Sequence, residues 1–192
     1  MGDQVSFQLT GTVAQDYNDY KSVYQLVFHD TLSNGLTLDR DSFKVYKNDS
    51  NEVLELNQYE VNITDDQHFT VTIKDVKVLG DDVSKVRVEY TATLNENAVI
   101  GFLGNPNIMY MEFSNNPNNE QGGDKGQTPE DKVIVFTYKV VINKIDSRRI
   151  PLAGAEYSAN GRPLVTVEKS TQYAGQVRLT KKLNTVGSPQ LI

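Results

Sequence analysis

The chain has 192 residues, of which 38% are hydrophobic and 23% charged, with a net charge of −6 and no cysteine. Disulfides and thiolate metal sites are therefore excluded, and a nucleic-acid partner is disfavoured because Lys and Arg are not in excess. The composition is that of a soluble globular protein. No apolar run approaches a membrane span, and "MGDQVSFQLTGTV" lacks the basic start and apolar core of a signal peptide.

In chain order, alternating runs recur: "VSFQLTGTV", "KSVYQLVFHDTL", "SFKVYKND", "YEVNIT", "FTVTI", "KVRVEYTATL", "IMYMEFSN" and "KVIVFTYKVVIN". They are rich in β-branched and aromatic residues and are punctuated by "SNG", "DD", "NPN" and "QGGDKG". No stretch reads as a convincing helix. Many short strands of this kind predict an all-β, immunoglobulin-like sandwich. Residues 114–131 are polar and glycine-rich without periodicity, which predicts a long surface loop, and a second unit is predicted to begin near Lys144. The chain thus divides into residues 1–143 and a partial second β unit, 144–192.

Hydrolytic chemistry finds no support, since His29 and His68 lie in strand-like runs without a nucleophile elbow. The glycines at 122, 123 and 126 carry no phosphate-loop signature, and no cofactor or metal is expected. The triplets at 48–50 and 62–64 match glycosylation acceptors, for which chance is an equal explanation.

The informative residues are polar groups in phase with apolar rows. Tyr24, Leu26, Phe28 and Asp30 share one strand face. An unpaired carboxylate there is costly, so either the strand ends at the sheet rim or the acid acts inside. Met109, Met111 and Phe113 likewise lead to Asn115, and Ile134, Phe136, Tyr138, Val140 and Ile142 lead to Lys144. Glu89 falls on the polar side of its strand. Such an acid, amide and amine suggest one reaction. A lysine buried in apolar surroundings is held neutral and nucleophilic, a buried carboxyl is held protonated, and together they convert an asparagine carboxamide into an amide cross-link with loss of ammonia. The alternative is that each is a strand-end polar group with a solvent or backbone partner.

"GDQVSFQLTGTV", "YKSVYQLVFHDTLSNGLTL", "VRVEYTATLNENAVIG", "GNPNIMYMEFSNNPN" and "TPEDKVIVFTYKVVINKID" together resemble the fimbrial isopeptide-formation (CnaA-like) domain of Gram-positive sortase-assembled pilins. "KIDSRRIPLAGAEYSANGRPLV" is similar to the opening of a CnaB-type domain. The resemblance implies Asp30 as the catalytic acid, Asn115 as the amide acceptor with Asn116 as fallback, and Lys144 as the linking lysine of the second unit. The family's lysine partner for Asp30 normally lies upstream of "GD", so either the first-domain bond is absent here or a tail lysine such as Lys169 or Lys181 supplies it; Lys21 faces away from Asp30. "FKVYKND" is similar in part to the motif whose lysine sortase joins to the next subunit, but Lys47 lacks its proline.

The resemblance further implies an extracellular structural subunit of a pilus or cell wall, capable at most of one self-modification. Its expected partners are other pilin subunits, joined through sortase, and possible host surface molecules. The rival is an adhesin module that grips a host protein or glycan through loops such as 114–131. That loop is mostly Asn, Gly and acid, which ranks scaffolding first.

Overall fold

The computed structural model describes residues 2–143, 146–150, 156–159, 162–165 and 176–182. Fourteen strands are described among them: β1 (Gln4–Thr12), β2 (Leu26–Leu32), β3 (Leu36–Leu38), β4 (Lys44–Lys47), β5 (Tyr59–Ile63), β6 (His68–Ile73), β7 (Lys85–Leu94), β8 (Asn105–Ser114), β9 (Lys125–Gln127), β10 (Asp131–Val135), β11 (Thr137–Asn143), β12 (Glu156–Ala159), β13 (Arg162–Val165) and β14 (Gln176–Lys182). The helical structure described is limited to 3-10 turns at Tyr17–Asp19 and Val76–Leu79.

The chain forms two compact units. One holds residues 2–99 and 104–135, the other residues 100–103 together with the described residues from 136 onward. The first unit contains two antiparallel sheets. In one, β7 lies between β1 on one side and β3 and β4 on the other. The second runs β10-β8-β2-β6-β5, with β9 also paired to β8.

Alternation dictates which side chains enter the core. β1 alternates exposed and buried residues along its whole length, and β7 buries Val86, Val88, Tyr90, Ala92 and Leu94. From the second sheet come Leu26, Phe28, Phe69, Val71 and Ile73, all almost wholly buried. Each such side chain contributes about 1.5–3 kcal/mol relative to exposure. Rings meet across the two sheets: Tyr90 on β7 packs edge-on against Phe69 on β6, with centroids 4.8 Å apart.

The connection from β2 to β3 carries the chain from one sheet to the other through the turn Ser33-Asn34-Gly35-Leu36, closed by Leu36 N donating to Ser33 O at 2.9 Å. Gly35 is required by space. A Cβ there would stand 2.1 Å from Asn105 Oδ1 and 2.6 Å from the Ala98 Cα.

Two predicted segments differ from expectation. Residues 132–143 form two strands rather than one. β10 pairs with β8 in the first unit, whereas β11 pairs with β14 in the second. Alternation in sequence cannot reveal such a change of partner, because both strands keep period two. The predicted loop 114–131 also contains β9, which holds Gly126 opposite Phe113.

In the second unit, β11 pairs antiparallel with β14, β12 pairs with β13, and Ile100 bridges to Thr137. Asp146 organises the turn that follows β11, its Oδ1 accepting from Arg148 N at 2.8 Å and Ile150 N at 2.9 Å.

Candidate functional site

β2 is an inner strand of its sheet, flanked by β8 and β6, so Asp30 lies opposite both Met109 and Phe69. The carboxyl is inside the sandwich rather than at its rim, with only 2% of the residue exposed. This resolves the choice that its in-phase position raised.

Two side chains meet it there. Tyr90 OH reaches across from β7 and donates to Asp30 Oδ1 at 3.1 Å. Asn107, on β8, donates from Nδ2 to Asp30 Oδ2 at 3.2 Å and to Tyr90 OH at 2.7 Å. Asn107 is 2% exposed, and its buried Oδ1 has no hydrogen-bond partner among the described residues. A buried carbonyl oxygen in that condition is an acceptor awaiting a donor.

Burial pushes the Asp30 carboxyl up to about 7, against the opposing effect of the bonds from Asn107 and Tyr90. Burial and the neighbouring carboxylate push the Tyr90 phenol well above its ordinary value, so it remains a hydrogen-bond donor. Protonation of Asp30 reverses the demand on Asn107. A carboxylic O–H needs an acceptor, and a half-turn of the carboxamide presents Oδ1 in place of Nδ2. Acid and phenol then both polarise the same carbonyl.

Aromatic packing fixes the phenol. Tyr90 stacks on Phe7 at 5.1 Å and on Phe43 at 5.7 Å, in addition to its edge contact with Phe69. Replacing Tyr90 with Phe should leave this packing intact while removing the bonds to Asp30 and Asn107. The expected cost at pH 8 is about 1.5–3 kcal/mol, as for a hydrogen bond to a charged group. Urea unfolding of the variant checks it; an unchanged midpoint would show that the phenol bonds are energetically idle.

Asn105, two residues earlier on β8, is a supporting amide. Its Oδ1 accepts from Val99 N at 2.8 Å, and its Nδ2 donates to Val99 O at 3.1 Å and Val135 O at 3.2 Å. It ties β10 and the approach to β8 together beside Asn107.

The other expected site residues lie elsewhere. Asn115 is not brought to the acid: it follows the end of β8, is exposed, and has its backbone N bonded to Asp124 O. It stands six residues beyond Met109, the residue opposite Asp30. At strand spacing that is roughly 20 Å. Asn116 is also exposed and donates to Asp124 Oδ2 at 2.7 Å. Asn107 and Asn115 belong to one alternating row, and the acid meets the first rather than the last. The available sequence signal was the in-phase position of Asn107 in "GNPNIMYMEF", immediately before the recognised run.

Lys21 is exposed and lies 3.6 Å from Glu120, outside the buried site. Lys144 and Lys169 lie outside the described residues; Lys181 is on β14, paired opposite Tyr138. Lys47 donates to Leu79 O at 2.8 Å. His29 stacks on Tyr110 and lies 3.6 Å from Glu112, whereas His68 bonds to Asp65. Among the described residues, no group of acids and histidines is arranged to hold a metal. No described helix is long and apolar enough to cross a membrane.

No family model matches the chain. The trypsin-resistant surface T6 protein of Streptococcus pyogenes serotype M6 is 29% identical to it, over 79% of this chain and 30% of its own length. Three solved major pilins share the architecture. The T6 backbone pilin matches with a TM-score of 0.62 at 22% identity, covering 93% of this chain and 46% of its own. BcpA of Bacillus cereus gives 0.60 at 21%, covering 93% and 50%. The 35 kDa C-terminal fragment of GBS80 from Streptococcus agalactiae gives 0.67 at 16%, covering 96% and 74%.

The fold is that of a Gram-positive major pilin. The resemblance seen in the sequence is thereby borne out, as is the all-β class. This pilin-like chain spans 30% of the length of its curated relative.

Proposed function

We propose that the chain is a structural segment of an extracellular Gram-positive pilus shaft, and that its first unit is built for a single self-modification, formation of a Lys–Asn amide with Asp30 as the acid and Asn107 as the acceptor. The observation that carries the chemistry is the carboxyl, carboxamide and phenol in mutual hydrogen-bond contact inside the sandwich, with one amide oxygen unpartnered among the described residues. Similarity to major pilins supports the shaft role.

In the proposed reaction, protonated Asp30 and the Tyr90 phenol hydrogen-bond to the Asn107 carbonyl, which makes its carbon electrophilic. A neutral lysine amine adds to that carbon. Asp30 transfers a proton to the departing nitrogen and recovers one from the attacking amine, so amide and amine become a substituted amide and ammonia. Nothing else is consumed. The product ties distant parts of the chain together and restricts the unfolded state much as a disulfide does, an effect of about 2–4 kcal/mol in that case. In the assembled fibre, the partners would be further pilin subunits joined by sortase.

The test is the intact mass of the denatured protein. A mass one ammonia below the sequence value is expected, restored by Asn107→Ala and by Asp30→Ala but unaffected by Asn115→Ala. Loss of the mass deficit on Asn115→Ala instead would reject the assignment of Asn107.

A further inference from the structure

The connection from β4 to β5 folds back on β4 instead of crossing directly to the next strand. Leu54 N donates to Val45 O at 2.7 Å and Val53 bridges to Tyr46, so residues 48–54 form a turn fixed at both ends. Arg87 on β7 secures it, lying over the Tyr46 ring at 4.4 Å and donating from Nη2 to Ser50 O at 3.1 Å. This turn, with Lys47 and Leu79, lines a pocket of about 290 Å³. Small-molecule sites run from about 300 to 1,000 Å³, so the space suits one small ring and not a chain of them. Asp30, Asn107 and Tyr90 form no part of its walls.

The hydrogen-bonding groups left over in these walls are of both kinds. Lys47 donates to Leu79 O at 2.8 Å and lies 3.9 Å from Asp82, which occupies much of its charge. Ser50 Oγ accepts from Glu52 N at 3.0 Å and keeps its O–H to donate. Gln58 Oε1 accepts from Glu55 N at 2.8 Å and keeps its Nε2 as a donor. The Glu52 carboxylate has no partner among the described residues. Beside these groups, Val53, Leu54 and Leu79 supply an apolar side.

This combination discriminates between ligand charges. An anion would meet the carboxylates of Glu52 and Glu55, and an ammonium would meet Lys47. A sugar hydroxyl donates and accepts at once, which matches a free carboxylate set among free donors, and a pyranose ring presents a C–H face to an apolar wall. We infer that the pocket binds a single uncharged hexopyranose, with its C–H face on Val53, Leu54 and Leu79 and neighbouring hydroxyls shared between the Glu52 carboxylate and the donors of Ser50 and Gln58. Binding in the millimolar range is expected for so small a ligand. It does not depend on the cross-linking chemistry, whose readout is the mass of the chain.

The probes are methyl β-galactopyranoside, methyl α-glucopyranoside and methyl α-mannopyranoside, each titrated into the isotope-labelled full chain, with methylammonium and inorganic phosphate as charged counterparts. At least one glycoside is expected to shift the backbone amides of residues 47–58 and Leu79 saturably in the NMR spectrum, and neither charged probe to do so. Glu52→Ala should weaken that binding about tenfold or more, as for the loss of a hydrogen bond to a charged group. Glu52→Gln, which keeps one acceptor oxygen, should weaken it less. Glu52 is exposed, so both variants should keep the thermal midpoint of the parent. The proposal is overturned if none of the three glycosides moves these amides saturably, if Glu52→Ala binds as well as the parent, or if methylammonium or phosphate occupies the pocket in their place.

Discussion

The unfolding free energy should fall by on the order of 4 kcal/mol between about pH 4 and about pH 8, and Asp30→Asn should remove that fall. Asp30 stands at about 7 in the fold against an ordinary 3.8, raised chiefly by burial. Between these values the folded chain holds a proton that the unfolded chain has released, so unfolding becomes easier with each added unit of pH. A separation of about three pH units at about 1.4 kcal/mol each sets the size of the effect. Below this window both states are protonated, and above it both are ionised. Exposed carboxylates held low, such as Asp124 by Asn119 and Asn116, act in the opposite sense and on the acid side. Urea unfolding of the two proteins at a series of pH values measures the effect. Parallel profiles would mean that Asp30 is charged in the fold at neutral pH.

The Asp30→Asn variant should also separate stability from chemistry. A neutral amide can accept from Tyr90 and lacks the ionisation penalty, so the variant should lose the pH-dependent part of the stability, while the roughly 2–4 kcal/mol supplied by the cross-link is lost at every pH. It cannot supply the acid proton, so its mass should equal the sequence value.

Gly35→Ala should destabilise the first unit by about 3 kcal/mol or more, comparable with severe overpacking. The added Cβ would fall 2.1 Å from Asn105 Oδ1 and 2.6 Å from the Ala98 Cα. The second contact is with backbone and cannot be relieved by a side-chain rotation. If Asn105 moves to relieve the first, Val99 N, Val99 O and Val135 O lose their partner together. By contrast, Gly11 faces the flexible Met111 thioether at 2.3 Å but also the fully buried Phe28 ring. Its replacement should cost less than that of Gly35. Thermal unfolding of the two alanine variants gives the order.

Much of the architecture was written in period two. Alternation alone placed Asp30 on the inward face with Leu26 and Phe28, and put Glu89 outside while Tyr90 went inside. Those assignments need only the local geometry of an extended chain, in which neighbouring side chains take opposite faces. The family resemblance rested on the same runs and the turns between them.

Which amide meets the acid was a different kind of question. Asn107 and Asn115 fall in one alternating row of the sequence, and nothing in that alternation distinguishes them. The register of β8 against β2 sets Met109 opposite Asp30, a pairing between residues far apart in sequence, and that selects Asn107. Tyr90 was legible as a core residue but not as a donor to Asp30, because its role depends on the second sheet closing over the first. The division of residues 132–143 between β8 and β14 was hidden for the same reason. Period two tells each strand which way its side chains point, whereas only long-range pairing and sheet packing decide what they meet.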